Sequence, residues 1–332
     1  MKIIIMQKVS IIIPVHNVAP YIEKSLLSAL NQTYNNIEYI VVDDCGTDES
    51  ISIVETIINN NSDKDIRVIH HPHNRGLSAA RNTGIINSTG EYLFFMDSDD
   101  TIPPDCIEVH IKAIVENDAD FTDANTEVIG GRNIFKKFET KSCITSSDII
   151  EGCFSGQIHM TACNKLYKLS FIKMNNIHFI EGLIHEDIIW LFDIAQCAKR
   201  VVMIPDLTYH YYIRGGSITT NVSTGSIIKK YNSWNYILSR VIDIAKNTDN
   251  KNLLSSISIW MSKIRFKISA RIIALDIDDS IKKKYYKEIN SENNKIYSLG
   301  LFSMLCSMPY CVFKQIFKPL YIIFTHIKTL RS

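Results

Sequence analysis

With 332 residues, 46% of them hydrophobic, the chain is long enough for one large α/β domain plus an appendage, and Gly and Pro are too sparse for disorder. Its 36 basic residues against 35 acidic ones leave a net charge of +1, which gives neither nucleic acid nor an acidic substrate a steering field. The eight cysteines form no Cys-x-x-Cys pair and no Cys/His cluster of zinc spacing, and the apolar start Met1–Met6 is too short for a signal-peptide core, so the chain reads as a cytoplasmic protein with reduced thiols.

Val9–Val15 is a β-branched run that predicts a first strand, and Tyr21–Asn31 follows with Ile22, Leu26, Leu27 and Leu30 at helical spacing. Glu38–Val42 predicts a second strand ending in the acidic turn Asp43-Asp44-Cys45-Gly46. Asp48 is the expected N-cap of the helix carrying Ile51, Val54, Ile57 and Ile58. A third strand is expected over Ile66–Ile69, a third helix over Ser78–Asn87 and a fourth strand over Tyr92–Met96. Apolar strands separated by helices predict a doubly wound α/β fold, a mainly parallel sheet with helices on both faces. Beyond about residue 120 the pattern loses regularity. From about Ser226 it turns helical, with Trp234, Ile237, Val241 and Ile244 at helix spacing.

Sheets of this kind gather ligands beyond the carboxyl ends of their strands. Polar residues stand at three such ends: Pro14-Val15-His16-Asn17, Asp43-Asp44 and Asp97-Ser98-Asp99-Asp100. Asp97 and Asp99, two residues apart on an extended segment, point to one side and can share a hard divalent cation that bridges to phosphate. Asp43 and Asp44 are adjacent and diverge: one can cap the turn while the other accepts a hydrogen bond from a nucleobase or ribose. Asn74–Gly84 joins a loop to a helix start, where Gly76 permits unusual backbone angles and Arg81 can offer phosphate a bidentate guanidinium. Glu186 and Asp187 precede the apolar Ile188–Phe192; there a carboxylate serves as a helix-dipole partner or as a general base toward an acceptor hydroxyl.

In this order, Val9–Asn17, Val42-Asp43-Asp44 with Thr47-Asp48, Asn74–Gly84, Gly90–Tyr92 running into Asp97–Asp100, and Glu186-Asp187 resemble the family 2 glycosyltransferases of GT-A-type fold. The resemblance covers roughly residues 8–220. It implies inverting transfer from a nucleotide-sugar donor, usually a UDP-sugar, with Mn²⁺ or Mg²⁺, to a glycan or lipid-linked saccharide acceptor. By position, Pro14 and Asp44 would line the base pocket with Asp43 supporting the turn, and Asn17 and Arg75 belong to the same nucleotide-binding set. Arg81 and Arg214 would face the diphosphate, Asp97 the ribose and metal, and Asp99 would be the principal metal ligand. Asp187 would be the catalytic base, with Glu186 shaping the acceptor side. Asn164-Lys165-Leu166-Tyr167 resembles an acceptor-side segment of the non-processive members and places Lys165 and Tyr167 there. Tyr212-x-Arg214-x-x-Ser217-Ile218 resembles the loop that follows the base. His16 and Cys45-Gly46 depart from the usual residues at the pocket rim. No Gln-x-x-Arg-Trp of the processive synthases follows Asp187, which implies addition of one sugar per encounter.

The implied organisation is a catalytic domain over 8–222, with a donor half 8–125 and an acceptor half 126–222, followed by a helical region over 223–332. Within 296–332, Lys314, Lys318, Lys328 and Arg331 alternate with apolar residues, as in a helix lying on an anionic membrane; the alternative is a helix packed on the protein. Two rival functions remain open. One is a sugar-1-phosphate nucleotidylyltransferase, which would carry a glycine-rich basic loop where Pro14–Asn17 stands. The other is a non-catalytic nucleotide-sugar or glycan-binding protein.

Overall fold

Seven consecutive buried residues, Val9–Val15, form the central strand β1 of the computed structural model, which describes residues 7–214, 224–275, 277–291 and 308–317. β2 (Ile37–Asp43) and β4 (Tyr92–Phe95) flank β1, both parallel to it, and β3 (Asp65–His70) pairs in parallel with β2. Helices α1 (Ala19–Leu30), α2 (Ser50–Asn60) and α3 (Leu77–Asn87) make the connections. The crossovers through α1 and α2 step toward one edge, whereas α3 returns the chain across β2 and β1. Right-handed crossovers therefore place α1 and α2 on one face and α3 on the other. The doubly wound expectation holds in this half.

Beyond β4 the eight-stranded sheet continues as β4-β7-β5-β8-β6 with mixed pairing. β7 (Leu166–Lys168) runs antiparallel to β4 and to β5 (Phe121–Ile129), β8 (Arg200–Tyr212) is parallel to β5, and β6 (Ser142–Thr145) is antiparallel to β8. The sheet is thus mainly parallel in its first half and mixed in its second. The sequence pattern fades here because strands of three and four residues are too short to show a period, and β8 shifts register against Ala124–Thr126. α4 (Cys106–Asn117) covers β8, β5 and β7. α5 (Ser147–Ser155) packs on α7 (Glu186–Cys197), and α6 (Leu169–Met174) follows β7.

Local chemistry adjusts the expected boundaries. α1 starts before Tyr21 because Pro20 fits a first helical turn, where its missing N–H costs nothing. Asp48 serves two helices: its Oδ1 accepts from the Ser50 backbone N–H at 3.0 Å in α2, and its Oδ2 accepts from Ala19 N–H at 2.9 Å in α1. α3 lies close against β1 because residue 84 is glycine; a Cβ there would stand 2.3 Å from Ile12 Cγ2.

At the opposite end of β2 from the site, Glu38 is buried and fastens three segments. Its carboxylate accepts from the Ser10 hydroxyl at 2.5 Å, the Thr89 N–H and hydroxyl, both at 2.7 Å, and Arg67 at 2.8 Å. Burial alone would raise its pKa, but the bonds from Ser10, Thr89 and Lys8 outweigh it and lower the value to about 2. A depressed folded-state pKa contributes stability above the unfolded value that is lost as pH falls toward the folded one. Glu38→Gln is therefore expected to lower unfolding free energy at pH 7 by on the order of 3 kcal/mol. In denaturant titrations the deficit should shrink between about pH 4.5 and pH 2; a deficit independent of pH would refute the charge account.

The chain divides into two compact units, Met1–Arg214 and Gly215–Ser332. In the second unit α8 (Thr224–Lys246), α9 (Lys251–Ala274) and α10 (Asp279–Ile289) are described, with Ile237 and Val241 of the expected helical stripe buried and Trp234 partly so. Asn250 caps α9 by accepting from Asn252 and Leu253 N–H groups. Ile273, Tyr286, Tyr310 and Phe313 form one apolar cluster. Of the stretch expected to touch a membrane, residues 308–317 are described: Tyr310 and Phe313 turn into this cluster, whereas Val312 and Ile316 face outward. Residues 296–307 and 318–332 lie outside the described residues, as do Ser217 and Ile218. No described helix is long and apolar enough to cross a membrane.

Candidate active site

The neighbouring strands β2, β1 and β4 deliver the three polar strand ends to one edge of the sheet. Pro14 is buried within β1 opposite Val42. Asn17 adopts a positive φ of 52° and its Oδ1 accepts from Thr47 N–H at 2.7 Å, which ties the end of β1 to the turn after β2. The His16 ring lies 3.1 Å from the Asp44 carbonyl and 3.1 Å from Asn74 Nδ2.

The adjacent aspartates divide their work differently from the expectation drawn from the resemblance. Asp44 is buried and spent on the protein. Oδ1 accepts from Arg75 N–H at 2.8 Å and His71 Nδ1 at 2.7 Å, and Oδ2 accepts from Gly76 N–H at 2.7 Å. Gly76 has φ 89°, a backbone that a side chain would strain, so Asp44 and this glycine together set the entry into α3. Asp43 is the more exposed of the pair; Oδ2 faces His70 Nδ1 at 2.9 Å and Oδ1 accepts a long 3.3 Å bond from Gly46 N–H. Asp43 is thus the carboxylate of the pair that keeps more contact with solvent. Arg75 leans outward to Glu181 at 3.0 Å.

Arg81, expected to meet phosphate, is instead fully enclosed. One terminal nitrogen donates to Asp97 Oδ1 at 2.9 Å; the other donates to Glu186 Oε1 and Asp187 Oδ1, both at 2.8 Å. Its Nε is buried without a hydrogen-bond partner, and the Phe179 ring lies 5.2 Å from the guanidinium carbon. Phe179 is fixed in turn: it stacks on Trp190 at 4.2 Å, meets Phe95 edge-on, and exchanges two 2.8 Å backbone bonds with the Asn82 amide. Asn82 and Phe179 are braces that the sequence offered only as a neighbour of Arg81 and an apolar residue.

Glu186 and Asp187 occupy the first turn of α7, where the helix dipole favours negative charge. Burial, then the charge of Asp187, pushes Glu186 up to about 7, with Arg81 opposing. Asp187 is also raised, first by burial and then by Asp97, against the pull of Arg81. Its side chain keeps 27% exposure against 11% for Glu186, so Asp187 is the more open of the two.

On the strand-four side, Asp99 is raised by burial and by Asp97, and Arg214 Nε donates to its Oδ2. Asp100 is buried and accepts from the Tyr209 hydroxyl at 2.8 Å and Tyr212 N–H at 2.9 Å. Burial, reinforced by Asp97 and Asp99, pushes it up to about 8. Asp97 Oδ1 accepts from Arg81 and Asp99 Oδ2 from Arg214, so each carboxylate already carries one guanidinium. Carboxylates two residues apart are the oxygen donors that a hard cation prefers. No group of three or more His, Cys, Asp or Glu side chains among the described residues could hold a metal ion.

Lys165 and Tyr167 lie inside the domain, away from any acceptor surface. Lys165 pairs with buried Asp123 at 3.0 Å, and His159 joins the same carboxylate at 3.2 Å. Tyr167 is enclosed by Phe121, Phe95 and Trp190 and donates to the Ala162 carbonyl at 3.0 Å. Both are buried within the mixed second half of the sheet.

The chain is similar to several known proteins. The chain is 33% identical over 230 residues to glycosyltransferase GlyA of Streptococcus pneumoniae, which is 64% of this chain and 31% of that protein. It is 30% identical over 221 residues to glycosyltransferase GlyG of the same organism, covering 63% of this chain and 72% of GlyG. It is 32% identical over 149 residues to WfgD of Escherichia coli, a UDP-Glc:α-D-GlcNAc-diphosphoundecaprenol β-1,3-glucosyltransferase, covering 45% of this chain and 57% of that one. The chain thus spans less than a third of GlyA and just over half of WfgD. Among solved structures, residues 1–349 of S. aureus TarS in complex with UDP-GlcNAc superpose with a TM-score of 0.73 at 20% identity, covering 96% of this chain and 92% of that one. The family described as Glycosyl transferase family 2 matches residues 10–174. With the α/β sheet and these relatives in agreement, the chain belongs to glycosyl transferase family 2.

Proposed function

We propose that the protein is an inverting, non-processive transferase that moves one sugar from a UDP-sugar to a hydroxyl of a glycan or lipid-linked saccharide. The observation that carries this reading is the Arg81 junction, which sets the reachable carboxylate Asp187 beside Asp97, one guanidinium away. A base and a leaving-group site so spaced suit a single displacement. The acceptor oxygen forms its bond to the anomeric carbon, Asp187 takes the acceptor proton, and the bond from that carbon to the diphosphate breaks. Attack opposite the leaving group inverts the anomeric configuration.

Asp97 and Asp99 would hold Mn²⁺ or Mg²⁺, which supplies charge neutralisation to the departing diphosphate. Asp43, rather than Asp44, accepts from the base; Asn17, Asp44 and Arg75 hold the turns around it. Glu186, deeper than Asp187, keeps the base in place through the shared arginine. The UDP donor is supported by the UDP-GlcNAc bound to TarS and the UDP-Glc in the name of WfgD, and the lipid-linked acceptor by the diphosphoundecaprenol in that name. Residues 8–222 carry donor and acceptor sites in this reading, and 296–332 meet anionic lipid at the cytoplasmic face. Flotation with anionic vesicles tests the latter; protein left in the soluble fraction would remove membrane contact.

The test of the reaction is hydrolysis of a sugar-nucleotide panel, with and without Mn²⁺, by the native protein and Asp99→Ala. Metal-dependent release of UDP from one donor, lost in the variant, is expected. Release that ignores both Mn²⁺ and Asp99 would sink the metal-assisted mechanism.

A further inference from the structure

Asp97–Asp100 gathers three carboxylates into four residues, and two arginines from remote segments answer them. Arg81 is fixed and buried on Asp97. Arg214 differs: it follows the end of β8 and donates from Nε to Asp99, with side-chain exposures of 22% and 19% for the two partners. Its placement is built into the fold. Asp100 accepts from Tyr209 and Tyr212, which pins the end of β8 two residues before Arg214. Tyr21 of α1 supplies the other wall, its ring centroid 5.0 Å from the guanidinium carbon.

We propose that Arg214 occupies the cation position at Asp99 in the donor-free protein, so that a divalent metal gains Asp99 only when a nucleoside diphosphate draws Arg214 away. This rests on the reading of Asp97 and Asp99 as metal ligands and adds an order of binding to it. A bare cation approaching Asp99 meets a carboxylate whose charge is already answered by the guanidinium on Oδ2, with a second guanidinium already on Asp97. A diphosphate reverses the balance: it offers Arg214 a bidentate phosphate partner and offers the metal bridging oxygens. Metal and nucleotide then enter with positive coupling, and the coupling is reciprocal. The protein would be protected from idle loading with metal when no donor is present.

Calorimetric titration of MnCl₂ into the full chain, with and without UDP, tests this directly. Arg214→Gln keeps an unbranched polar side chain, shorter than arginine, and removes the charge; it is expected to bind Mn²⁺ alone about tenfold more tightly than the native protein, as loss of a charged hydrogen bond to a ligand oxygen implies. UDP should then tighten Mn²⁺ binding much less in the variant than in the native protein. Arg214→Lys, which keeps a charge without the planar fork, should fall between them and serves if the Gln variant does not fold. Asp99→Asn should abolish the gain; a gain that survives it places the ion elsewhere and overturns the proposal. Equal or weaker Mn²⁺ binding by Arg214→Gln, with native binding intact in the presence of UDP, would refute the competition and leave the metal site standing. Absence of Mn²⁺ binding in every protein, UDP included, would remove the metal site itself and this proposal with it.

Discussion

Asp187→Asn is expected to lower kcat about a thousandfold while leaving affinity for the sugar nucleotide near the native value. The amide is nearly the same size, still accepts the 2.8 Å bond from Arg81 through its oxygen, and cannot take a proton at any useful pH. Turnover measured as UDP release in the presence of acceptor, beside calorimetry with UDP, separates the two quantities. Glu186→Gln is the necessary companion. Glu186 is less exposed and shares the same guanidinium nitrogen, so its neutral form should cost far less in kcat. A severe Glu186→Gln with a mild Asp187→Asn would transfer the role of base to Glu186. Two variants of native activity would remove the role of base from both carboxylates.

The part of this site that could be read in advance is the part governed by strand periodicity. Val9–Val15, Glu38–Val42 and Tyr92–Met96 are apolar runs with polar residues after them, and a parallel sheet leaves those residues little choice but a common edge. Side-chain destinations were harder. Arg81 on an otherwise ordinary helix gives no sign that it will be enclosed, because the carboxylates that enclose it lie 16, 105 and 106 residues away in sequence. Asp43 and Asp44 are chemically identical, and only the loop carrying His71, Arg75 and Gly76 decides which becomes a clamp. Lys165 reads as an acceptor-side residue until Asp123 of β5 is seen paired with it inside the domain. Long-range pairing of buried charges leaves no local period, so sequence spacing cannot report it.

Those enclosed charges set the second large effect. Arg81→Gln removes the cation shared by Asp97, Glu186 and Asp187, and removing one partner of a buried ion pair costs about 3–5 kcal/mol because the remaining charges lose their compensation. Partial exposure of Asp97 and Asp187 puts the expected loss near the lower end, about 3 kcal/mol. Denaturant unfolding measures it. Arg81→Lys should recover part of the stability but little of the activity, since a single ammonium cannot reach Asp97 and the α7 carboxylates as the two arms of a guanidinium do. The decisive form is a cycle with Glu186→Gln. Neutralising Glu186 in the Arg81→Gln background removes one uncompensated charge, so the double variant should be more stable than Arg81→Gln alone. It should still be inactive, because Asp187 remains untethered relative to Asp97. If the double variant regained turnover along with stability, Arg81 would be a charge-balancing residue of the core and no more, and the spacing of base and leaving group would have to be set by α7 itself.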